Sequence, residues 1–302
     1  MPLDPGTASL LDLIVRAGQP LHEGTPEIGR EAYRALTVDA VGPGSEIPVG
    51  SVEDLTVAGR PARVYRPEGD GPRPTLVFFH GGGFVIGDLD THDQTCRRIC
   101  SGAETVVVAI DYRLAPESPY PAAVGDALAA VEWAAEHKDE LGGGAVLAVG
   151  GDSAGGNLSA VVAQALPGLV DAQVLICPAT HVEGAYPSRD ENAEGYFLEM
   201  ATILWFYEHY TGGAGDPDDP RLSPLLGAID GVAPALVVTT EFDPLRDEGE
   251  AYADRLAEAG VPVEKVRYDA LVHGFQDMGA FSPAATAAVD DMVGRIRALL
   301  HR

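Results

Sequence analysis

Short runs of Val, Ile, Leu and Phe stand between Gly and Pro breaks at 75–80, 105–111, 145–150, 172–178 and 235–240. Continuous apolar runs of this length predict strands covered on both faces. Between them, residues 91–103, 121–141, 154–166, 246–260 and 284–300 carry apolar side chains at helical spacing. Strands and helices in alternation call for a mostly parallel sheet with helices on both faces. Residues 263–269 supply a last strand, and 52–57 and 62–66, separated by Ala58-Gly59-Arg60-Pro61, predict an antiparallel hairpin at the sheet's start. The sheet should therefore hold about eight strands.

Two stretches leave this rhythm. Residues 1–45 hold helical pieces at 8–17 and 26–36 but no strand, and 183–212 form a long insert containing Tyr196, Phe197, Trp205, Phe206, Tyr207 and Tyr210. Together they are expected to make a helical cap. The expected organisation is thus 1–45 as the N-terminal part of the cap, 46–182 as the first part of the core, 183–212 as the cap insert and 213–302 as the rest of the core.

Composition narrows the function. With 302 residues, 46% of them hydrophobic, the chain can bury a large core. Twenty Lys and Arg against 46 Asp and Glu give a net charge of −26, which excludes a general nucleic-acid or anionic-membrane binder. Only Lys138 and Lys265 are lysines. Salt adaptation or an Arg-favouring coding bias would each give this pattern, the second being the plainer account. Three cysteines cannot build a disulfide framework, and Cys96 and Cys100 stand four apart in an expected helix, so reduced, partly buried thiols are expected. The start, Met1-Pro2-Leu3-Asp4-Pro5, lacks a basic, apolar leader pattern, and no apolar run reaches membrane-spanning length. A cytoplasmic protein is the expectation.

The strongest chemical signal is Gly151-Asp152-Ser153-Ala154-Gly155, a G-x-S-x-G element between an expected strand and an expected helix. A serine on so tight a turn needs small neighbours, which Gly151 and Gly155 supply, and the helix N-terminus behind it favours developing negative charge. The second signal is His80-Gly81-Gly82-Gly83-Phe84, at the end of a strand. Consecutive glycines let backbone N–H groups meet a substrate oxygen unobstructed, as an oxyanion hole requires. A phosphate-binding turn is disfavoured, since no Gly-Lys-Ser/Thr follows.

A nucleophilic serine needs a base and the base an orienting carboxylate. His273 follows the last expected strand and Asp243 the one before it, so the chain order is Ser153, Asp243, His273. That is the order of an α/β-hydrolase, with all three at the carboxyl ends of strands. Asp247 is the rival carboxylate, but it opens a helix, where capping and dipole effects explain an Asp. The Asp152 side chain should point away from the serine. His22, His137, His209 and His301 read as helical or terminal residues, and His92 and His181 as loop residues near the site. No cluster has metal-ligand spacing, and neither a metal nor another cofactor is expected.

With these motifs the sequence resembles the hormone-sensitive-lipase-like family of bacterial carboxylesterases. The resemblance runs through residues 80–83, 111–117, 151–157, 243–249 and 273–275. It implies an α/β-hydrolase fold with a cap, Ser153 as nucleophile, His273 as base and Asp243 as its partner. It also implies Gly82, Gly83 and Ala154 as oxyanion-hole donors, and His80, Asp111, Tyr112 and Glu117 as scaffold. The activity expected is hydrolysis of a small-molecule ester of short to medium acyl length, with pairing of two copies through the strand at 263–269. The same machinery acting as an arylformamidase or deacetylase, or a fold retained to bind a small ligand, are the alternatives. Anionic substrates should be disfavoured unless Arg113 or Arg246 supplies a local positive pocket.

Overall fold

Alternate residues of each central strand enter opposite helical layers, which explains why the strands read as unbroken apolar runs. In the strand Arg73–Phe79, Val77 and Phe79 join one core and Leu76 and Phe78 the other, all without exposed surface. The computed structural model describes residues 1–302 apart from 19, 41 and 43. Its strands are β1 (Ser51–Val57), β2 (Arg60–Arg66), β3 (Arg73–Phe79), β4 (Val106–Ile110), β5 (Gly143–Asp152), β6 (Ala172–Ile176), β7 (Ala235–Phe242) and β8 (Val263–Val272). They form one sheet in the order β1-β2-β4-β3-β5-β6-β7-β8, with β2 antiparallel to both neighbours and the remaining pairs parallel.

The helices are α1 (Pro5–Ala17), α2 (Pro26–Arg34), α3 (Asp93–Ala103), α4 (Ala122–Glu136), α5 (Lys138–Leu141), α6 (Ala154–Ala165), α7 (Pro187–Glu191), α8 (Met200–Thr211), α9 (Arg246–Glu258) and α10 (Pro283–Leu300). α4, α6 and α9 cover one face of the sheet; α3 and α10, with Leu10 and Leu11 of α1, cover the other. The mostly parallel, two-faced α/β architecture is as the sequence predicts. Of the boundaries that differ, two do so for plain local reasons. The β1–β2 turn is only Ala58-Gly59, both at positive φ, so Arg60 and Pro61 already belong to β2. The helix expected over 121–141 breaks at His137, whose ring stacks on Trp133 and bonds the Trp133 carbonyl at 2.8 Å.

The segments outside the strand–helix alternation are tied to the core by charge. On α2, Arg30 grips both oxygens of Glu117 at 2.7 Å and donates to the carbonyls of Val85 and Ala115, while Arg34 pairs with Asp88 and Asp90. In the insert, Arg189 meets the buried Glu248 at 2.5 Å, and the Ser188 N–H donates to Asp247 at 2.8 Å. α1 instead docks on α10, with the Asp4 carboxylate accepting from Ser282 at 2.7 Å.

The tightest packing lies where α6 leaves the sheet. A Cβ on Gly155 would stand 1.8 Å from the Phe79 carbonyl oxygen, and one on Gly151 2.2 Å from the same atom. Gly155→Ala is therefore expected to lower stability by about 3 kcal/mol or more, because backbone cannot yield as a flexible side chain can. Thermal unfolding checks this, and a melting temperature equal to wild type contradicts it.

Candidate active site

The carboxyl ends of the parallel strands bring the candidate residues together. β5 ends at Asp152 and α6 begins at Ala154, leaving Ser153 between them at φ 54°, ψ −116°. A side-chain-bearing residue at positive φ stores strain, and such strain gathers at functional turns. Neighbouring backbone holds it there. The Ser153 N–H donates to the Ile176 carbonyl at 2.8 Å, and the Ser153 carbonyl accepts from Asn157 at 3.0 Å. Its side chain is half-buried, and its Oγ has no hydrogen-bond partner among the described residues.

Asp243, immediately after β7, is fully buried; its Oδ1 accepts the Leu245 N–H at 2.8 Å and its Oδ2 lies 2.8 Å from His273 Nδ1. A carboxylate only accepts, so Nδ1 carries the proton and Nε2 keeps a free lone pair. Burial pulls the His273 pKa down, but the charge and hydrogen bond of Asp243, with Asp152 and Asp277 behind them, carry it above the ordinary value of 6.5. The structure thus joins Asp243 to His273 directly. Ser153 stands at the same carboxyl end of the sheet, just past β5, with no hydrogen bond to the imidazole. Asp247 faces elsewhere, bonded to Ser188 and paired with Arg246 at 2.7 Å.

After β3 the chain turns at Gly82 (φ 110°), Gly83 (φ 59°) and Phe84 (φ 65°). Among the described residues, the Gly82 and Gly83 N–H groups donate to no acceptor, and the Ala154 N–H is one of the unpaired donors opening α6. The insert covers this turn. A Cβ on Gly83 would stand 2.1 Å from the Phe206 ring, and Phe84 stacks on Tyr210 at 3.9 Å. Phe197 lies against Gly274, next to His273.

The other histidines hold structural contacts. His22 meets Thr202, His181 the Tyr186 hydroxyl, His209 the Trp205 ring and His301 the Ala103 carbonyl. Arg113 is bound to Asp126, and Arg246 to Glu191, Glu241 and Asp247, so neither supplies a free positive charge. Of the scaffold residues, Tyr112 donates to the His80 carbonyl at 2.7 Å and Glu117 anchors α2. Sequence reasoning missed two features. Cys177, at φ 45°, puts its sulfur within 4.8 Å of ligand atoms of Asp243 and His273. Asp277 is half-buried beside His92 and accepts from Thr95 at 3.1 Å and Tyr33 at 3.4 Å. A clue to Cys177 was available, since it directly follows a strand's carboxyl end.

A family model described as alpha/beta hydrolase fold matches residues 76–277. The carboxylic ester hydrolase LipN of Mycobacterium tuberculosis is 47% identical over 280 residues, covering 86% of this chain and 73% of that protein. An ethyl acetate hydrolase of Pseudomonas putida is 38% identical over 301 residues, covering 93% and 94%. Among solved structures, a hyperthermophilic esterase from Pyrobaculum calidifontis superimposes with a TM-score of 0.94 at 39% identity, over 99% of both chains. The chain belongs to the alpha/beta hydrolase fold family. Within it, the likeness is to the hormone-sensitive-lipase-like esterases that the sequence motifs resemble.

Burial drives the Asp277 pKa up to about 6, against which His92, Thr95 and Tyr33 pull only partly. The folded carboxyl holds its proton more tightly than the unfolded one, so its contribution to stability is present below the ordinary Asp range and is lost as pH rises through about 6. Asp277→Asn removes that titration. Relative to wild type, the variant should gain on the order of 2 kcal/mol between about pH 4 and pH 8. Urea unfolding at both pH values measures it, and a pH-independent difference contradicts it.

Proposed function

We propose that this chain is a serine carboxylesterase that hydrolyses short- to medium-chain acyl esters through an acyl-enzyme intermediate. The observation that carries the reading is the buried Asp243–His273 hydrogen bond of 2.8 Å, at the same carboxyl end of the sheet as a strained, accessible Ser153. Ser153 Oγ attacks the ester carbonyl while His273 Nε2 takes its proton. The N–H groups of Gly82, Gly83 and Ala154 receive the oxyanion, and His273 returns the proton to the departing alkoxide. Water then repeats the sequence on the acyl-enzyme, and Asp243 stabilises the imidazolium each time.

In this reading residues 1–45 and 183–212 form the cap, and the rings of Phe206 and Phe197 bound the space over the serine and so limit acyl length. The Arg113 and Arg246 pairings support a preference for neutral esters in a chain of charge −26. A second copy pairs along β8, which lies at the sheet's edge. Three free, buried cysteines support a reducing compartment, the cytoplasm. No described helix is long and apolar enough to cross a membrane.

The test is hydrolysis of p-nitrophenyl esters of increasing acyl length beside the matching amides. Ser153→Ala should keep the fold and lower kcat by on the order of 10³ or more. Wild-type turnover in the purified variant would refute the assignment. The base must be neutral to accept a proton, so kcat/KM should fall on the acid side with a midpoint above ~6.5, following the raised His273 pKa. A midpoint below that value would mean that burial outweighs the Asp243 charge.

A further inference from the structure

Behind the three glycines lies a buried polar cluster that the reaction just described does not use. Asp152 is 4% exposed. Its Oδ1 accepts the Gly81 N–H at 3.0 Å, its Oδ2 accepts from Gln276 at 3.2 Å, and His92 Nε2 stands 3.4 Å from Oδ2. These partners come from three segments: the turn after β3, the loop that carries His273, and the residue that opens α3. Glycine is required at 81 for this approach, since a Cβ there would lie 2.2 Å from Asp152 Oδ2.

The state of the His92 ring follows from its partners. The Gly81 N–H that donates to Asp152 also lies 3.3 Å from His92 Nε2, so Nε2 accepts from it while the ring is neutral and donates to Asp152 once the ring is charged. On the other side, Thr91 Oγ1 gives its proton to the Asp88 carbonyl at 2.8 Å and so accepts from His92 Nδ1 at 2.9 Å, which makes the ring that also donates to Asp152 a charged imidazolium. The groups that face His92 are Asp152, Asp277, Asp88, His80 and Tyr33. Burial and His92 itself pull His80 down to about 4, which leaves His92 as the group of the cluster that holds a proton against the carboxylates. Burial opposes that charge, and Asp152 more than offsets it, raising the His92 pKa.

We propose that His92 and Asp152 are positioning residues for the oxyanion loop: His92 Nε2–H holds the Asp152 carboxylate, and that carboxylate holds the Gly81 N–H, fixing the peptide from which the Gly82 and Gly83 donors extend. This rests on the esterase reading of those donors. A loosened loop misaligns hydrogen bonds that matter most in the transition state, so the loss falls on kcat rather than KM.

Active sites are first counted by end-point labelling with an organophosphonate, and kcat for p-nitrophenyl acetate is expressed per labelled site. A variant that merely folds less well then keeps a normal kcat. His92→Ala is expected to lower kcat per site by about tenfold or more with KM within about threefold. His92→Gln, whose amide N–H reaches the Nε2 position, should recover most of it. Nitrogen-15 NMR of histidine-labelled wild type should show His92 Nε2 protonated at about pH 6, below the ordinary histidine value that the Asp152 charge raises. Unchanged kcat per site in His92→Ala, no recovery in a folded His92→Gln, or an unprotonated Nε2 overturns the proposal. If His92→Ala does not fold, His92→Gln and the NMR signal decide it. A wild-type chain that neither labels nor hydrolyses the ester refutes the esterase reading instead.

Discussion

One contact sets the geometry on which the site depends: the Phe79 carbonyl oxygen pressed against Gly151 and Gly155. Phe79 ends β3, whose continuation is the glycine turn, while the two glycines flank Ser153 between β5 and α6. Absence of side chains at Gly151 and Gly155 lets the Ser153 turn and the glycine turn after β3 share a single backbone junction. Parallel pairing of β3 with β5, Phe79 beside Gly151, fixes the height at which the two meet. The strand ends bring these turns together here because the strands finish in register, and because the helix that follows leaves at an angle only glycine permits.

Around that junction, stability is bought with ion pairs whose value depends on burial. Exposed pairs such as Arg16–Asp12 contribute little in water. Arg189–Glu248 differs: Glu248 is 1% exposed and also accepts the Thr180 N–H at 2.8 Å, so removing either partner would strand a buried charge, at a cost of about 3–5 kcal/mol. With few cations in so acidic a chain, arginines recur where segments join: Arg30 and Arg34 between α2 and the core, Arg189 and Arg246 between the insert and α9. The motif at 243–249 serves both ends of this arrangement, since Asp243 faces His273 while Arg246, Asp247 and Glu248 anchor the insert.

Sheet architecture was legible because buried strands and covering helices leave strong local signatures, and so was the placement of Ser153, Asp243 and His273, each just past the end of a strand. Local signatures misled at His137, where a side chain bonding its own helix backbone ends a run of otherwise helical spacing. They were silent on Arg113 and Arg246, since whether a guanidinium is free depends on carboxylates brought in by other segments. Cys177 and Asp277 escaped for the same reason. Nothing in the neighbouring residues says that a thiol borders Asp243, or that the Asp277 carboxyl is held by Tyr33 of α2 and Thr95 of α3. Burial of polar groups is a property of the assembled fold, and sequence periodicity reports only the apolar part of it.

The ring of Phe206 on Gly83 and the stack of Phe84 on Tyr210 bear on how such proteins diversify. The insert is contiguous in sequence, which suggests a part exchangeable between relatives to change what the pocket admits. Its aromatic side chains, however, are the outer wall of the glycine turn, and Asn192 reaches the backbone of Asp243 itself at 3.2 Å. Transplanting residues 183–212 from another member would therefore disturb the glycine turn and the backbone of Asp243 as well. The insert, the glycine turn and the loop that follows β7 have to evolve as one unit here, by correlated changes.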